Sequence, residues 1–148
     1  MRALVQRVAR AEVRVDGRCV GAIGRGILVL LGVAPDDDAA AARTLARRVV
    51  ELRIHADAEG RTNLALGDVG GSVLAVSQFT LYADTSHGRR PGFTGAAEPA
   101  HASVIYDCFC AGLEELGVPT ERGLFGASME VELVNDGPFT LWLDTAVR

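Results

Sequence analysis

The sequence predicts an α+β domain in which mostly antiparallel strands form a curved, barrel-like sheet with two main helices. Three observations predict it. Residues 11–16 and 128–134 alternate apolar and polar side chains, the pattern of half-buried strands. Residues 27–33 and 72–79 are nearly continuous apolar runs, the pattern of strands buried on both faces. Only two segments, one following Asp36-Asp37-Asp38 and one at 99–116, carry apolar residues at helical spacing. The 148 residues suit a single domain, 1–148, with one sizeable core.

The elements follow in order. Residues 2–8 and 11–16 read as two strands, and Asp16-Gly17 as a two-residue hairpin signal into a return strand at 18–23. Gly24-Arg25-Gly26 turns the chain into the buried run 27–33. The three aspartates cap the first helix, whose stripe is Ala42, Leu45, Ala46, Val49 and Val50. A short strand is expected at 52–55, a turn-rich stretch at 57–71, and the second buried strand at 72–79. Residues 83–98 read as a loop. The helix at 99–116 buries Ala102, Ile105, Phe109, Leu113 and Leu116, and Gly117 ends it. Strand 128–134, a turn at Asn135-Asp136-Gly137-Pro138 and a last strand at 139–144 close the chain.

Composition excludes several chemistries. All fifteen basic residues are Arg, so there is no Schiff-base lysine, no P-loop lysine and no Ser–Lys dyad. A net charge of −4 argues against nucleic-acid binding through bulk charge. The charge is uneven, however. Arg2, Arg7, Arg10, Arg14, Arg18 and Arg25 face only Glu12 and Asp16 within 1–25, whereas acids prevail in 112–148 over Arg122 and Arg148. A local basic face and a solvated strand pair both fit this pattern. Cys19, Cys108 and Cys110 have neither CxxC nor metal-ligand spacing and read as reduced, mostly buried thiols. No metal and no cofactor are expected. The first eight residues are charged and strand-like, and no apolar run approaches the roughly 20 residues of a membrane span. A soluble, cytoplasmic protein is expected.

Three features carry candidate chemistry. Ser77 and Thr80 stand where the buried run opens into Ser77-Gln78-Phe79-Thr80-Leu81-Tyr82, and a core-strand end is a rigid platform for reactive groups and N–H donors. No GxSxG elbow surrounds Ser77. His55, His87 and His101 lie in separate segments without metal-ligand spacing. Strand-end hydrogen bonding explains Ser77 and Thr80 equally well. Gly137-Pro138 is the second feature: a turn former by default, but one whose carbonyls the flanking strands can aim at a ligand. The third is the loop of Arg89, Arg90 and His87 among glycines, a phosphate cradle or a surface loop. Trp142 in the last strand reads as packing.

The pair Ser77-Gln78-Phe79-Thr80-Leu81-Tyr82 and Asn135-Asp136-Gly137-Pro138-Phe139-Thr140 resembles the D-aminoacyl-tRNA deacylase family. Leu4-Val5-Gln6-Arg7-Val8, Leu30-Leu31-Gly32-Val33, Gly70-Gly71-Ser72-Val73-Leu74, Arg90-Pro91-Gly92-Phe93 and Gly123-Leu124-Phe125-Gly126-Ala127-Ser128-Met129 extend the resemblance along nearly the whole chain.

The resemblance implies a barrel-like homodimer that hydrolyses the ester joining a D-amino acid to tRNA, and glycine mischarged onto tRNA (glycyl-tRNA-Ala). It implies a cis Gly137-Pro138 bond whose carbonyls enter the partner's pocket, receive the substrate α-amino group and leave no room for an L side chain. Ser77, Gln78, Phe79 and Thr80 would line the pocket, with N–H groups near Phe79 and Thr80 on the developing oxyanion. The attacking water would be activated with help from the terminal 2′-hydroxyl of the tRNA. Phe125 and Met129 match positions near the terminal adenine, Arg7 a brace for the Gly-Pro turn, and Arg89 and Arg90 contacts to tRNA phosphates. Two departures stand out: Phe139 replaces a common Val after the Gly-Pro, and His87 a frequent Lys. Two other readings remain. One is an acyl hydrolase of small esters that uses Ser77 or Thr80. The other is an aminoacyl-tRNA-binding module without turnover.

Overall fold

The structure, a computed structural model, describes residues 1–146. Arg148, counted above among the basic residues, lies outside them. In chain order the strands and helices are β1 (Arg2–Val15), β2 (Arg18–Ile23), β3 (Gly26–Gly32), α1 (Ala39–Glu51), β4 (His55–Ala56), β5 (Thr62–Leu64), β6 (Ser72–Ser77), α2 (Pro99–Glu115), β7 (Thr120–Arg122) and β8 (Glu130–Asp144). Single 3-10 turns lie at Gly67–Val69 and Phe79–Tyr82.

The α+β class and the curled sheet are as the sequence predicts, but the strands join differently. The two strands expected at 2–8 and 11–16 are one. β1 pairs with β3 through residues 2–8 and with β2 through 11–15, while β8 runs antiparallel along its other edge from Arg2↔Asp144 to Arg14↔Glu130. A strand that changes neighbour without losing pairing has no reason to stop. For the same reason the expected turn at 135–138 is no hairpin turn. Both halves of β8 pair with β1 in the same direction, and the register slips between Asn135 (opposite Val8) and Thr140 (opposite Gln6). Residues 136–139 therefore bulge out of a continuous strand.

Two other expectations shift, and one strand is new. The strand of 72–79 stops at Ser77, and the chain turns into the 3-10 segment. The short strand of 52–55 is His55–Ala56, and β7 was not read from the sequence at all. The hairpin at Asp16-Gly17 holds, with both residues at positive φ as a type I′ turn requires.

Antiparallel pairing dominates, but β3–β6 and β6–β7 are parallel. Each parallel pair is joined through a helix, α1 or α2, because parallel neighbours need a long crossover. β3 and β6 consequently have two buried faces. Ile27, Val29, Leu31, Val73 and Ala75 pack against Leu45 and Val49 of α1 and Phe109 and Leu113 of α2. Leu28, Leu74 and Val76 face the inside of the curl with Val8, Val13, Val131 and Leu133. The curl nearly closes where β2 meets β7: a Cβ on Gly21 would lie 2.7 Å from the Arg122 carbonyl oxygen, so only glycine fits.

Asp38 caps α1 by accepting from the Ala41 N–H at 2.7 Å, and Gly117 follows α2 at positive φ. Leu116, expected on the buried face of α2, is 42% exposed, because the helix has ended by that residue. Only Cys110 is buried among the three thiols, and burial pushes it up to about 11; Cys19 is exposed and Cys108 half-buried. No helix of the described residues is long and apolar enough to cross a membrane.

Candidate functional site

Parallel pairing sets Leu31 opposite Ser77, so β3 and β6 leave the sheet on the same side. Such shared carboxyl ends are where crevices form in sheets with helical crossovers. Here they open a cleft of about 330 Å3. Its walls are Leu31 and Val33 from the end of β3, Ser77, Gln78 and Phe79 beyond β6, Phe93 and Ala97 ahead of α2, Ala102 and Tyr106 on α2, and Phe125. Glu98 is the single carboxylate among the lining residues.

The segment after β6 is held by its backbone. The Gln78 N–H donates to the Leu31 carbonyl at 2.7 Å, and the Leu81 N–H closes a turn on the Gln78 carbonyl at 3.3 Å. The N–H groups of Phe79 and Thr80 lie ahead of that first turn and stay available as donors. The Gln78 side-chain amide donates to the Thr80 hydroxyl. Phe79 is 56% exposed, its ring edge-on to Phe93 at 5.0 Å.

The floor is fixed by one carbonyl. Ala75 accepts from the Tyr106 hydroxyl at 2.9 Å and from the Gly123 N–H at 2.9 Å. Burial drives the Tyr106 pKa far above its ordinary value, so the phenol stays protonated and a donor. Phe125 stands 6.0 Å from the Tyr106 ring. Met129 packs beneath this loop with the inner core rather than lining the cleft. A Cβ on Gly123 would sit 2.7 Å from its sulfur.

A second cluster is built around Arg7, which β1 presents opposite the bulge in β8. Only 9% exposed, Arg7 donates from Nε to the Asp136 carbonyl at 3.0 Å and from Nη2 to the Gly137 carbonyl at 3.1 Å. Nη1 donates to the Ile54 carbonyl. Nε also lies 3.0 Å from the Asp136 carboxylate. The guanidinium covers the Phe139 ring at 4.5 Å, within cation–π range. Asn135 completes the frame: its amide donates to the carbonyls of Arg7 at 2.9 Å and Phe139 at 3.1 Å. The loop so held projects Gly137 and Pro138 outward, exposed and joined by a cis peptide bond.

The structure thus brings Ser77, Gln78, Phe79 and Phe125 around one cleft, with Thr80 on the same turn. Arg7, Gly137 and Pro138 form a separate group, and none of them lines the cleft of their own chain. Arg89 and Arg90 lie in an exposed loop closed by paired hydrogen bonds of 2.8 Å between Asp84 and Gly92, beside the cleft residue Phe93. No histidine lines the cleft: His55 is buried, His87 is exposed, and His101 Nε2 lies 2.8 Å from the Asp37 carbonyl oxygen. Sequence reasoning missed Tyr106 and the Ile54 carbonyl. The signal for Tyr106 was a phenol on an otherwise apolar helix face. A backbone carbonyl leaves none. Trp142 is not simply packed: it is 49% exposed, with the Arg2 guanidinium 5.7 Å from its ring.

Comparison with known proteins gives the same motifs a lineage. The family model described as D-Tyr-tRNA(Tyr) deacylase matches residues 4–144. The chain belongs to this family. Within it, a D-aminoacyl-tRNA deacylase of Anaeromyxobacter dehalogenans is 59% identical over 145 residues, 98% of this chain and 97% of that protein. The D-aminoacyl-tRNA deacylase of Deinococcus radiodurans is 56% identical over 144 residues, 97% and 99% of the two chains. Among solved structures, one titled c-Myc DNA Unwinding Element Binding Protein superposes with a TM-score of 0.92 at 38% identity, covering 98% of this chain and 99% of its own. A probable eukaryotic D-amino acid tRNA deacylase shares the fold at a TM-score of 0.81 and 19% identity, with 96% and 97% coverage.

Proposed function

We propose that residues 1–148 act as one chiral proofreading domain that hydrolyses the ester of D-aminoacyl-tRNA and spares the L ester. Family membership carries the reaction class: the chain is a D-aminoacyl-tRNA deacylase, a hydrolase of aminoacyl esters. The observation that carries the chiral reading is the Gly137-Pro138 loop, which stands clear of its own cleft with the Asp136 and Gly137 carbonyls held by Arg7 and the Phe139 carbonyl by Asn135. Mirror-image substrates present identical groups, so only a rigid surface of the right shape can separate them. Main-chain atoms suit an editor that must accept many side chains. Glycine on tRNA, having no side chain to exclude, passes the same filter.

The loop and the cleft are apart within one chain, which supports a homodimer in which each loop completes the partner's cleft. There the Gly137-Pro138 carbonyls accept from the substrate ammonium group. The N–H groups of Phe79 and Thr80 receive the ester carbonyl as its charge develops. Phe125, with Met129 supporting its loop from below, meets the terminal adenine, and Arg89 and Arg90 meet phosphates.

Catalysis rests on positioning. The Thr80 hydroxyl accepts from Gln78, the Tyr106 phenol donates to Ala75, and no imidazole reaches the cleft to activate the Ser77 or Thr80 hydroxyl. An aminoacyl ester is an activated substrate, and the neighbouring 2′-hydroxyl relays the proton of a water attacking the carbonyl to the departing ester oxygen of the terminal ribose. Side-by-side deacylation of D-Tyr-tRNA and L-Tyr-tRNA tests the reading. Rapid loss of the D ester alone is the expected result. Equal loss of both would leave a general acyl hydrolase, and loss of neither a binding module.

A further inference from the structure

Behind the Arg7 brace lies a side chain that the proposed mechanism does not use. His55, in β4, is 1% exposed, and both ring nitrogens are buried without a hydrogen-bond partner among the described residues. Its neighbour in the chain, Ile54, supplies the carbonyl that accepts from Arg7 Nη1. A buried imidazole with no partner is less stable than an apolar ring of the same size. Its place therefore matters more for what surrounds it than for packing.

The charged groups that act on the ring electrostatically come from three elements: Arg7 on β1, Arg25 in the turn between β2 and β3, and Asp136 on β8. Two are cations, and the one carboxylate is already taken by Arg7. We infer that His55 is a pH-sensitive group behind the Gly137-Pro138 loop, and that its protonation loosens the Arg7 brace and weakens the preference for D over L esters. This rests on the chiral role proposed above for that loop.

The direction follows from the packing. An imidazolium here is a third cation in a space closed to water. Arg25 is exposed and can swing into solvent, but Arg7 is buried and cannot. The repulsion therefore falls on the Arg7 contacts that hold the carbonyls of Asp136 and Gly137. Burial first, then Arg25 and Arg7, lower the His55 pKa from its ordinary 6.5 against the opposing pull of Asp136. The effect thus belongs to the acid side of that value.

The test compares second-order deacylation rates of D-Tyr-tRNA and L-Tyr-tRNA between about pH 7.5 and about pH 5. The wild type, His55→Phe and a second non-titrating variant, His55→Gln, are measured, with ring NMR signals followed through the same titration. In the wild type, the D-to-L ratio should fall by about tenfold or more as the His55 signals shift, while both variants stay within about twofold. A flat wild-type ratio, or an equal fall in the variants, overturns the inference and leaves the deacylase reading intact. A wild type without D preference at about pH 7.5 overturns that reading, and the inference with it.

Discussion

The cleft and the braced loop solve opposite problems with opposite materials. The cleft is apolar. Its polar groups are backbone N–H donors, the Ser77 hydroxyl, the Gln78 amide, a Tyr106 phenol that already donates to Ala75, and the single carboxylate of Glu98. The loop is held by charge, with one buried guanidinium tied to three carbonyls and a carboxylate and lying over an aromatic ring. The difference teaches where this protein needs exactness. A reactive ester needs only to be seated, and a shaped apolar surface with a few donors does that. Excluding one enantiomer needs a backbone that does not yield, which calls for several strong bonds converging on the same few atoms.

The largest effect should come from removing the brace. Arg7→Ala deletes charge-assisted hydrogen bonds of about 1.5–3 kcal/mol each, which predicts at least about a 100-fold loss in the D-to-L rate ratio. Parallel assays of the two esters measure it. Phe125→Ala acts on the other region. On the proposed adenine contact, losing a base-stacking platform of about 1–3 kcal/mol should raise KM roughly 5- to 150-fold with kcat little changed. If Phe125→Ala altered the D-to-L ratio as strongly as Arg7→Ala, the division of labour between the two regions would collapse.

Smaller perturbations sharpen the contrast. Asn135→Ala removes two neutral hydrogen bonds from the frame, so the D-to-L ratio should fall by roughly three- to tenfold. Thr80→Ala should cost less than about tenfold in kcat, since the hydroxyl bonds only to Gln78 and the backbone donor survives. Abolished activity would instead make Thr80 the nucleophile. The smallest effect concerns stability. Because the folded state holds the His55 pKa below its unfolded value, the unfolded chain binds more protons in acid. The thermal midpoint should therefore be unaffected above about pH 6.5 and fall below it, and His55→Phe should flatten that decline.

Local periodicity made the fold class and both helices legible, because Leu45 and Val49, or Phe109 and Leu113, meet the sheet through spacing alone. The joining of strands was not. Whether Ala9-Arg10 interrupts a strand, or Asn135-Asp136-Gly137-Pro138 turns one back, depends on which neighbours flank it, and that is non-local. The same holds for the site. Ser77-Gln78-Phe79-Thr80 was visible at a strand end, but Arg7 came only through family resemblance. Nothing in its own segment signals a contact with Gly137, 130 residues away. Phe139, a departure from the family habit, takes the Arg7 guanidinium on its ring face. His55 was visible only as one histidine among three.

β1 has one more consequence. It is bonded to β3 and then β2 along one edge and to β8 along the other, and Arg7, where β8 bulges away, sits between residues paired on both sides. The amides flanking Arg7 lie between two seams, so they should exchange among the slower ones in the molecule. The proposed enantiomer filter is therefore moored to one of the most firmly paired ribbons in the fold. As the protein is warmed toward unfolding, discrimination should persist while the exposed loop beside the cleft has already begun to open, and the enzyme should lose speed before it loses handedness.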